Sequence, residues 1–149
     1  WTLVVTVLTA AITLISATAE RGRAAAQATR SVLGGVYTEE QATRGETVYR
    51  TYCIACHGPD LEGADMTPPL SGGAFMANWN DLTAGDLFER IRLTMPLDRP
   101  GVLMRQQNAD VIAFVLKKNG WPAGSTELSR ELAPLKTIRI ESVRPDAHK

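Results

Sequence analysis

The sequence predicts an all-α fold on the basis of three observations. Helix-capping patterns precede two of three amphipathic segments, loops rich in glycine and proline separate these segments, and no convincing alternating strand pattern or internal repeat is present. With 149 residues, the chain has room for about one domain. Its 16 basic and 16 acidic residues balance, which argues against nucleic acid as a partner.

The N-terminal residues have the composition of an export segment. No charged residue occurs from Leu3 to Ala19, and small residues follow at Ala24-Ala25-Ala26. We therefore predict a secretory signal peptide over residues 1–26, and hence a periplasmic mature protein. A retained membrane anchor is the alternative, although the run is shorter than a membrane span prefers and is interrupted by threonine and serine.

The first helix of the domain is predicted to begin after a linker over residues 27–37. Thr38 to Gln41 has the form of a capping box, in which a threonine hydroxyl and a glutamine side chain satisfy free backbone N–H groups. The helix that follows directs small and apolar side chains toward the core and then meets a pair of cysteines. These core positions are Ala42, Gly45, Val48, Tyr49 and Tyr52.

Two further helices are predicted from similar signals. Thr83 to Asp86 is a second capping box, and its helix should end near Met95 because Pro96 follows. Asn108 is expected to cap the third helix, and Pro122 prevents its continuation. The apolar stripes of these helices comprise Leu87, Phe88 and Ile91 in one, and Val111, Ile112, Phe114 and Val115 in the other.

The three helices define one predicted domain over residues 38–122, and residues 123–149 form a C-terminal extension. The extension carries Leu128, Leu132 and Leu135 at helical spacing. Aromatic residues make up only 6% of the chain, which is little for a core filled by side chains alone. A buried cofactor is therefore expected to supply apolar volume.

The chemistry of the chain is concentrated in Cys53-Ile54-Ala55-Cys56-His57. Two thiols three positions apart can add to the two vinyl groups of one haem, and the adjacent imidazole then ligates the iron. We interpret the motif as the attachment site of one haem c. A structural disulfide, a thioredoxin-like pair and half of a zinc site are the alternatives. Each explains the cysteines and none explains His57, and both the further zinc ligands and a βαβ pattern are missing.

The second axial ligand is expected to be a methionine. Met95 is preferred, because Pro96 biases it toward an extended backbone from which its side chain can leave the helix and point inward. Met66, in the loop before Pro68-Pro69, is the alternative, and filling of the core is the usual role of a methionine. The four candidates are Met66, Met76, Met95 and Met104.

This motif and the segments that follow it resemble class I c-type cytochromes. The similarity extends over about residues 36–122, and the region around Asn78-Trp79 makes it most similar to bacterial mono-haem cytochromes associated with quinoprotein dehydrogenases. The matching segments are Cys53 to Leu61, Pro68 to Leu70, Thr94 to Pro96 and Ala109 to Phe114.

The resemblance implies a class I cytochrome c fold, in which helices pack around one covalently attached haem c. It implies that the first and last helices cross near a glycine and aromatic residues, that two axial ligands hold the iron, and that a Pro-Pro pair lies by the proximal histidine. In this sequence the crossing residues are Gly45, Tyr49 and Phe114, the axial ligands are His57 and Met95, and the proline pair is Pro68-Pro69.

The function implied is that of a single-electron shuttle and not of an enzyme. Its partners would be redox proteins such as a periplasmic quinoprotein dehydrogenase or a terminal oxidase. Histidine and methionine together leave no open coordination site on the iron, which favours electron transfer over catalysis. A haem enzyme or gas-binding sensor with a labile sixth ligand is the main alternative, and an exported binding module with a disulfide and no haem is another.

One surface is a candidate for docking a redox partner. Such encounters commonly bury less than about 1,200 Å². Four arginines follow the second capping box, but acidic residues lie among them, and mixed charge is typical of an ordinary solvated face. The arginines are Arg90, Arg92, Arg99 and Arg105, and the acidic residues are Asp86, Glu89 and Asp98.

Overall fold

The computed structural model describes residues 30–142, which contain six α-helices, one 3₁₀ helix and one pair of short strands. This confirms the all-α prediction. The signal peptide or anchor predicted over residues 1–26 lies outside the described residues. Within the described part, no helix has the length and apolar character needed to cross a membrane. In chain order the elements are β1 (Arg30–Ser31), a 3₁₀ helix (Val32–Gly34), α1 (Glu39–Tyr52), α2 (Ile54–His57), α3 (Gly72–Trp79), α4 (Ala84–Thr94), α5 (Arg105–Lys118), α6 (Leu132–Leu135) and β2 (Ile138–Arg139).

Helix α1 begins at the predicted cap, but its glutamine has a different role. The Thr38 hydroxyl accepts the N–H of Gln41 at 3.2 Å. Gln41 does not return to the cap; it is fully buried, its Nε2 donates to the Leu128 carbonyl at 3.0 Å, and its Oε1 accepts the Leu128 N–H at 2.7 Å. The side chain therefore ties the predicted C-terminal extension to the first helix.

Helices α1 and α5 cross with their backbones in contact. A Cβ atom placed on Gly45 would lie 1.8 Å from the carbonyl oxygen of Asp110, so only glycine fits there. One turn further along α1, the ring centroid of Tyr49 lies 5.2 Å from that of Phe114. The crossing expected at Gly45, Tyr49 and Phe114 is confirmed.

Helix α4 has the ends that its sequence predicts. The Thr83 hydroxyl accepts the N–H of Asp86 at 3.1 Å, and the Asp86 carboxylate accepts the N–H of Thr83 at 2.8 Å, which completes the capping box. The helix ends at Thr94, and Met95 adopts an extended conformation with φ −122° and ψ 151°. This is the conformation favoured before a proline.

The prediction that Asn108 caps α5 is wrong. The helix begins at Arg105, and the Gln107 side chain accepts the backbone N–H of Met104 at 2.8 Å. Asn108 lies inside the first turn and is fully buried, and its amide donates to the carbonyls of Leu103 and Met104. Gln107, which is one methylene longer than asparagine, can reach back over the helix end and takes the capping role.

The described parts of the predicted linker (27–37) and of the predicted extension (123–149) belong to the same core as the helices. The Tyr37 hydroxyl donates to the Trp121 carbonyl at 2.6 Å, and the Tyr37 carbonyl accepts the N–H of Gly124 at 2.7 Å. Strand β1 pairs in parallel with β2. The buried apolar side chains of these two segments are Val32, Val36, Tyr37, Leu128, Leu135, Ile138 and Ile140.

A buried hydroxyl connects the crossing to the cysteine motif. Tyr49 donates to the carbonyl of Gly58, the residue after the motif, at 2.6 Å. Burial raises the pKa of Tyr49, and the nearby charges of Cys53, Glu62 and Asp60 raise it further. The neutral phenol is therefore the form that the folded protein stabilises.

The Gly45 contact makes a direct prediction about stability. Gly45→Ala should lower the free energy of unfolding by more than about 2 kcal/mol, because its Cβ would collide with rigid helix backbone. Gly73→Ala in α3 is the matched control, since no atom lies within 4 Å of its Cβ position. The control should be neutral or stabilising by up to about 1 kcal/mol. Urea unfolding of the haem-loaded variants measures both values, and equal losses would contradict the close crossing.

The Tyr49 hydrogen bond makes a prediction about pH. The unfolded-state pKa of tyrosine is about 10 and the folded-state pKa is higher, so its stabilisation is fully present below about pH 10 and is lost as pH rises through the folded-state pKa. Tyr49→Phe should lower the free energy of unfolding by about 1–2 kcal/mol at neutral pH. Above about pH 10, the free energy of unfolding of this variant should fall less than that of the native chain. Urea unfolding across pH tests this prediction.

The control for that variant is Tyr52→Phe at neutral pH, because the Tyr52 hydroxyl forms no hydrogen bond within residues 30–142. It should change the free energy of unfolding by less than about 0.5 kcal/mol. A native chain and a Tyr49→Phe chain that decline in parallel at alkaline pH would contradict the assigned role of the buried phenol.

Candidate functional site

Both cysteines and the histidine of the motif are held by one short turn of helix. The N–H of Cys53 closes α1 by donating to the Tyr49 carbonyl at 2.8 Å. The Cys53 carbonyl then accepts the N–H of Cys56 at 3.1 Å and that of His57 at 2.9 Å. Both cysteines are free thiols. The turn thus presents two sulfur atoms and an imidazole from one local structure.

The two thiols have different surroundings. Cys53 is half-buried and Cys56 is exposed. Burial raises the pKa of the Cys53 thiol to about 11, and Cys56 adds to the shift. Reactive cysteines of thioredoxin-like pairs have lowered pKa values, because the thiolate is the nucleophile. Cys53 is therefore not activated as the attacking thiolate of such a pair.

The imidazole of His57 is buried and oriented by one hydrogen bond. Its Nδ1 lies 3.1 Å from the carbonyl oxygen of Pro68. Burial lowers the pKa of His57, and the hydrogen bond to Pro68 acts in the opposite direction. A neutral imidazole that donates its Nδ1–H to a carbonyl keeps the Nε2 lone pair for a metal ion. His57 thus has the tautomer and the burial of a metal ligand.

A tight loop returns Pro68 to the histidine. The His57 carbonyl accepts the N–H of Gly63 at 2.9 Å, and the N–H groups and carbonyls of Ala64 and Thr67 pair across the turn at 3.1 and 2.7 Å. Gly63 has φ +70°, and a Cβ on it would lie 2.4 Å from the Thr67 carbonyl. Gly63 was not singled out from the sequence, because a lone glycine in a loop is a weak signal.

Half-buried apolar side chains, of which Tyr52 and Ile54 directly flank Cys53 in the chain, pack against the buried core. Such a surface, with two free thiols and a neutral imidazole, fits a haem c, which is flat, largely apolar, attached through two thioether bonds and ligated by histidine. The side chains are Tyr52, Ile54, Leu70, Met76, Trp79 and Ile91.

A zinc site finds no support among residues 30–142. Within that range, no group of three or more histidine, cysteine, aspartate or glutamate side chains is arranged to hold a metal ion. Structural zinc sites use four such ligands, and catalytic ones use three. The described part of the chain therefore favours the haem interpretation of the cysteines.

The four methionines differ in exposure. Met95 is half-buried at the end of α4, and Met76 is half-buried in α3. Met66 is 96% exposed on the loop that follows the motif, and Met104 is 68% exposed before α5. Their exposure makes Met66 and Met104 poorer candidates for a ligand inside the fold than Met95.

The chain is similar to a solved structure of the sulfane dehydrogenase SoxCD from Paracoccus pantotrophus, with a TM-score of 0.45 and 24% identity over 54% of this chain. The similarity covers 44% of that chain, so it spans less than half of the solved protein. No curated protein matches the sequence significantly.

The sequence profile of one protein family matches residues 40–115, about half of the chain, from the first turn of α1 to the second half of α5. That region contains the crossing, the cysteine–histidine turn and Met95. On this match, the chain belongs to the family of c-type cytochrome domains described as cytochrome c oxidase, cbb3-type, subunit III.

Proposed function

We propose that this protein is a single-electron carrier with one haem c, attached covalently through Cys53 and Cys56 and ligated axially by His57 and Met95. The observation that carries the proposal is the turn on which two free thiols adjoin a buried imidazole whose Nδ1 bonds to the Pro68 carbonyl. Membership of a cytochrome family supports haem-based electron transfer.

When bound, the haem supplies one-electron chemistry through its iron. The residues of the chain attach and orient it. Each of the two thiols adds its S–H across one vinyl group, so a small protein retains the haem without enclosing it. The hydrogen bond to Pro68 keeps His57 in the tautomer that presents Nε2, and burial keeps the ring neutral.

Met95 completes the proposed ligand set. Its extended backbone at the end of α4 frees its side chain from the helix. A thioether is a weak donor that favours ferrous iron and raises the reduction potential. Two filled axial positions leave no place for a substrate, so we propose an electron carrier in preference to a haem enzyme or gas sensor.

The ligand assignment is tested by Met95→Ala in the haem-loaded protein. We expect the reduced native protein to show a low-spin visible spectrum that carbon monoxide does not change, because both axial positions are filled. Met95→Ala should bind carbon monoxide, whereas Met66→Ala and Met104→Ala, at exposed positions, should match the native protein. Ready binding of carbon monoxide to the native protein would favour the enzyme or sensor, and a chain without covalent haem would exclude all of these functions.

For its place of action, we propose the periplasm. The support is the uncharged run from Leu3 to Ala19 and the small residues after it, which are typical of an export signal. The partners proposed are redox proteins such as a periplasmic quinoprotein dehydrogenase or a terminal oxidase. The description of the family, which names an oxidase subunit, supports the second of these.

The charges near Met95 support a docking surface for such a partner. Lys136 forms salt bridges with Asp86 at 2.6 Å and with Glu89 at 2.5 Å. These two carboxylates are therefore paired with Lys136 and not with the arginines of α4. Among residues 30–142, no carboxylate lies within salt-bridge distance of Arg90 or Arg92. Within residues 30–142, the second half of α4 thus carries two cations without acidic partners.

Exposed apolar surface accompanies these cations. Leu93 lies between Arg90 and Met95 in the chain and is 57% exposed. Arg99 and Arg105 are already paired, with Asp98 and Glu131. We therefore propose that Arg90, Arg92 and Leu93 meet an acidic surface of the partner. Long-range attraction of this kind raises association rates.

Small oxidants test this surface without a partner protein. The Arg90→Gln/Arg92→Gln double variant should slow oxidation of the reduced protein by ferricyanide, an anion, by about threefold or more at low ionic strength, and should speed oxidation by a cationic cobalt complex. Arg30→Gln/Arg139→Gln, which removes the same charge from β1 and β2, is the control. Stopped-flow rates that fall equally in both double variants would indicate only a net-charge effect.

A further inference from the structure

The segment between Met95 and α5 is attached to the rest of the protein mainly through its ends. Arg99 donates its N–H to the Pro96 carbonyl at 3.0 Å, and Val102 donates to the Arg99 carbonyl at 3.3 Å. Within the described chain, residues 96–102 form no hydrogen bond to a residue outside that range. Leu97 is 80% exposed. Within the described chain, hydrogen bonds therefore tie this segment to the rest of the protein only at its two ends.

Asn108 forms hydrogen bonds at the C-terminal end of this segment. Its Nδ2 donates to the Leu103 carbonyl at 3.2 Å and to the Met104 carbonyl at 3.0 Å. Its backbone N–H also donates to Met104, at 3.0 Å. At the beginning of the segment, the N–H of Met95 donates to the Ile91 carbonyl at 2.9 Å. One side chain in α5 thus holds the backbone carbonyls of the last two residues of the path from Met95, while the Leu103 side chain is buried in the core.

Asn108 forms its two side-chain hydrogen bonds from a fully buried position. Asn108 is fully buried, and its Oδ1 has no hydrogen-bond partner within the described residues. A buried polar atom without a partner costs about 1–3 kcal/mol. An apolar side chain would avoid that cost but would lose both donors. Since both contacts of Nδ2 are carbonyl oxygens, the orientation of the amide is determined.

We propose that Asn108 is a positioning residue for the sixth ligand: by holding Leu103 and Met104, it keeps the segment that follows Met95 in place and so keeps the Met95 thioether on the iron. The inference rests on the proposed function, because it needs Met95 as ligand. Without the two Nδ2 donors, the Leu103 carbonyl loses its hydrogen bond and the Met104 carbonyl keeps only the backbone N–H of residue 108, so the segment moves more freely. Met95 then leaves the iron more often.

Carbon monoxide binding to the reduced, haem-loaded protein measures this effect, because the gas can bind only when the methionine has left. Asn108→Leu should bind carbon monoxide about tenfold faster than the native protein, which corresponds to the loss of about one net hydrogen bond from the ligated state. In the oxidised protein, urea should abolish the methionine-to-iron charge-transfer band at a lower concentration than it abolishes helical circular dichroism.

Asn119 provides a matched control at the other end of the same helix. Its Nδ2 also donates to two carbonyls, those of Leu70 at 2.9 Å and Val115 at 2.8 Å. Asn119→Leu removes the same two donors, together with the Oδ1 that accepts the Gly72 N–H at 3.0 Å, from a segment that does not carry Met95. This variant is expected to lose stability and to bind carbon monoxide at a rate within about twofold of the native rate.

A second variant covers the case in which Asn108→Leu does not fold or load haem. Asn108→Ser can still donate to the carbonyl four residues earlier, that of Met104, as serine does in helices. Its binding rate should lie between those of the native protein and Met95→Ala. A rate in Asn108→Ser, or in a folded Asn108→Leu, that equals the Asn119→Leu rate overturns the positioning role.

Met95→Ala separates failure of this inference from failure of the proposed function. If Met95→Ala binds carbon monoxide no faster than the native protein, Met95 is not the ligand and both ideas fail. If Met95→Ala opens the site but neither Asn108 variant accelerates binding, the ligand assignment stands and only the role of Asn108 is rejected.

Discussion

The contact between helix backbones at Gly45 is the constraint on which the rest of the structure depends. Because no side chain separates α1 from α5, the Asp110 carbonyl lies against the glycine, and the ring of Tyr49 packs on Phe114 one turn later. The Tyr49 carbonyl accepts the N–H of Cys53, and the Tyr49 hydroxyl donates to the carbonyl of Gly58. A single close approach therefore sets both ends of the turn that carries the cysteines and His57.

Around that turn, burial shifts the pKa values of His57 and Cys53 in the directions that favour their neutral forms. The pKa of His57 is lowered by burial, so the ring is neutral and can offer Nε2 to a metal. The pKa of Cys53 is raised to about 11, which keeps this thiol protonated at neutral pH. A thiol that stays protonated is a poor attacking group in disulfide exchange.

The C-terminal segment has a structural role and an electrostatic one. Leu128 is held by Gln41 through both backbone groups, so the segment is part of the domain core. Lys136 then pairs with Asp86 and Glu89, which removes two acidic charges from the neighbourhood of Arg90 and Arg92. A surface that appears mixed in sequence becomes locally positive in the fold.

Local chemistry by itself determined several features of this protein. The cap at Thr38, the capping box from Thr83 to Asp86 and the end of α4 before Pro96 each depend on residues within four positions of one another. The cysteine–histidine motif belongs to the same class, since its chemistry lies in five adjacent residues. Steric and hydrogen-bonding rules at this range act before any tertiary contact forms, so the sequence is sufficient to predict them.

Only the tertiary structure decided the roles of polar residues with distant partners. Gln41 has the right spacing for a cap, yet it bonds to Leu128, 87 positions away. Asn108 matches the pattern of a cap and is instead buried, because α5 begins earlier and Gln107 reaches its end. The charge near Arg90 depends on Lys136 in the same way. A buried polar group takes the partner that the packed chain places beside it, and that choice depends on the fold of residues far apart in sequence.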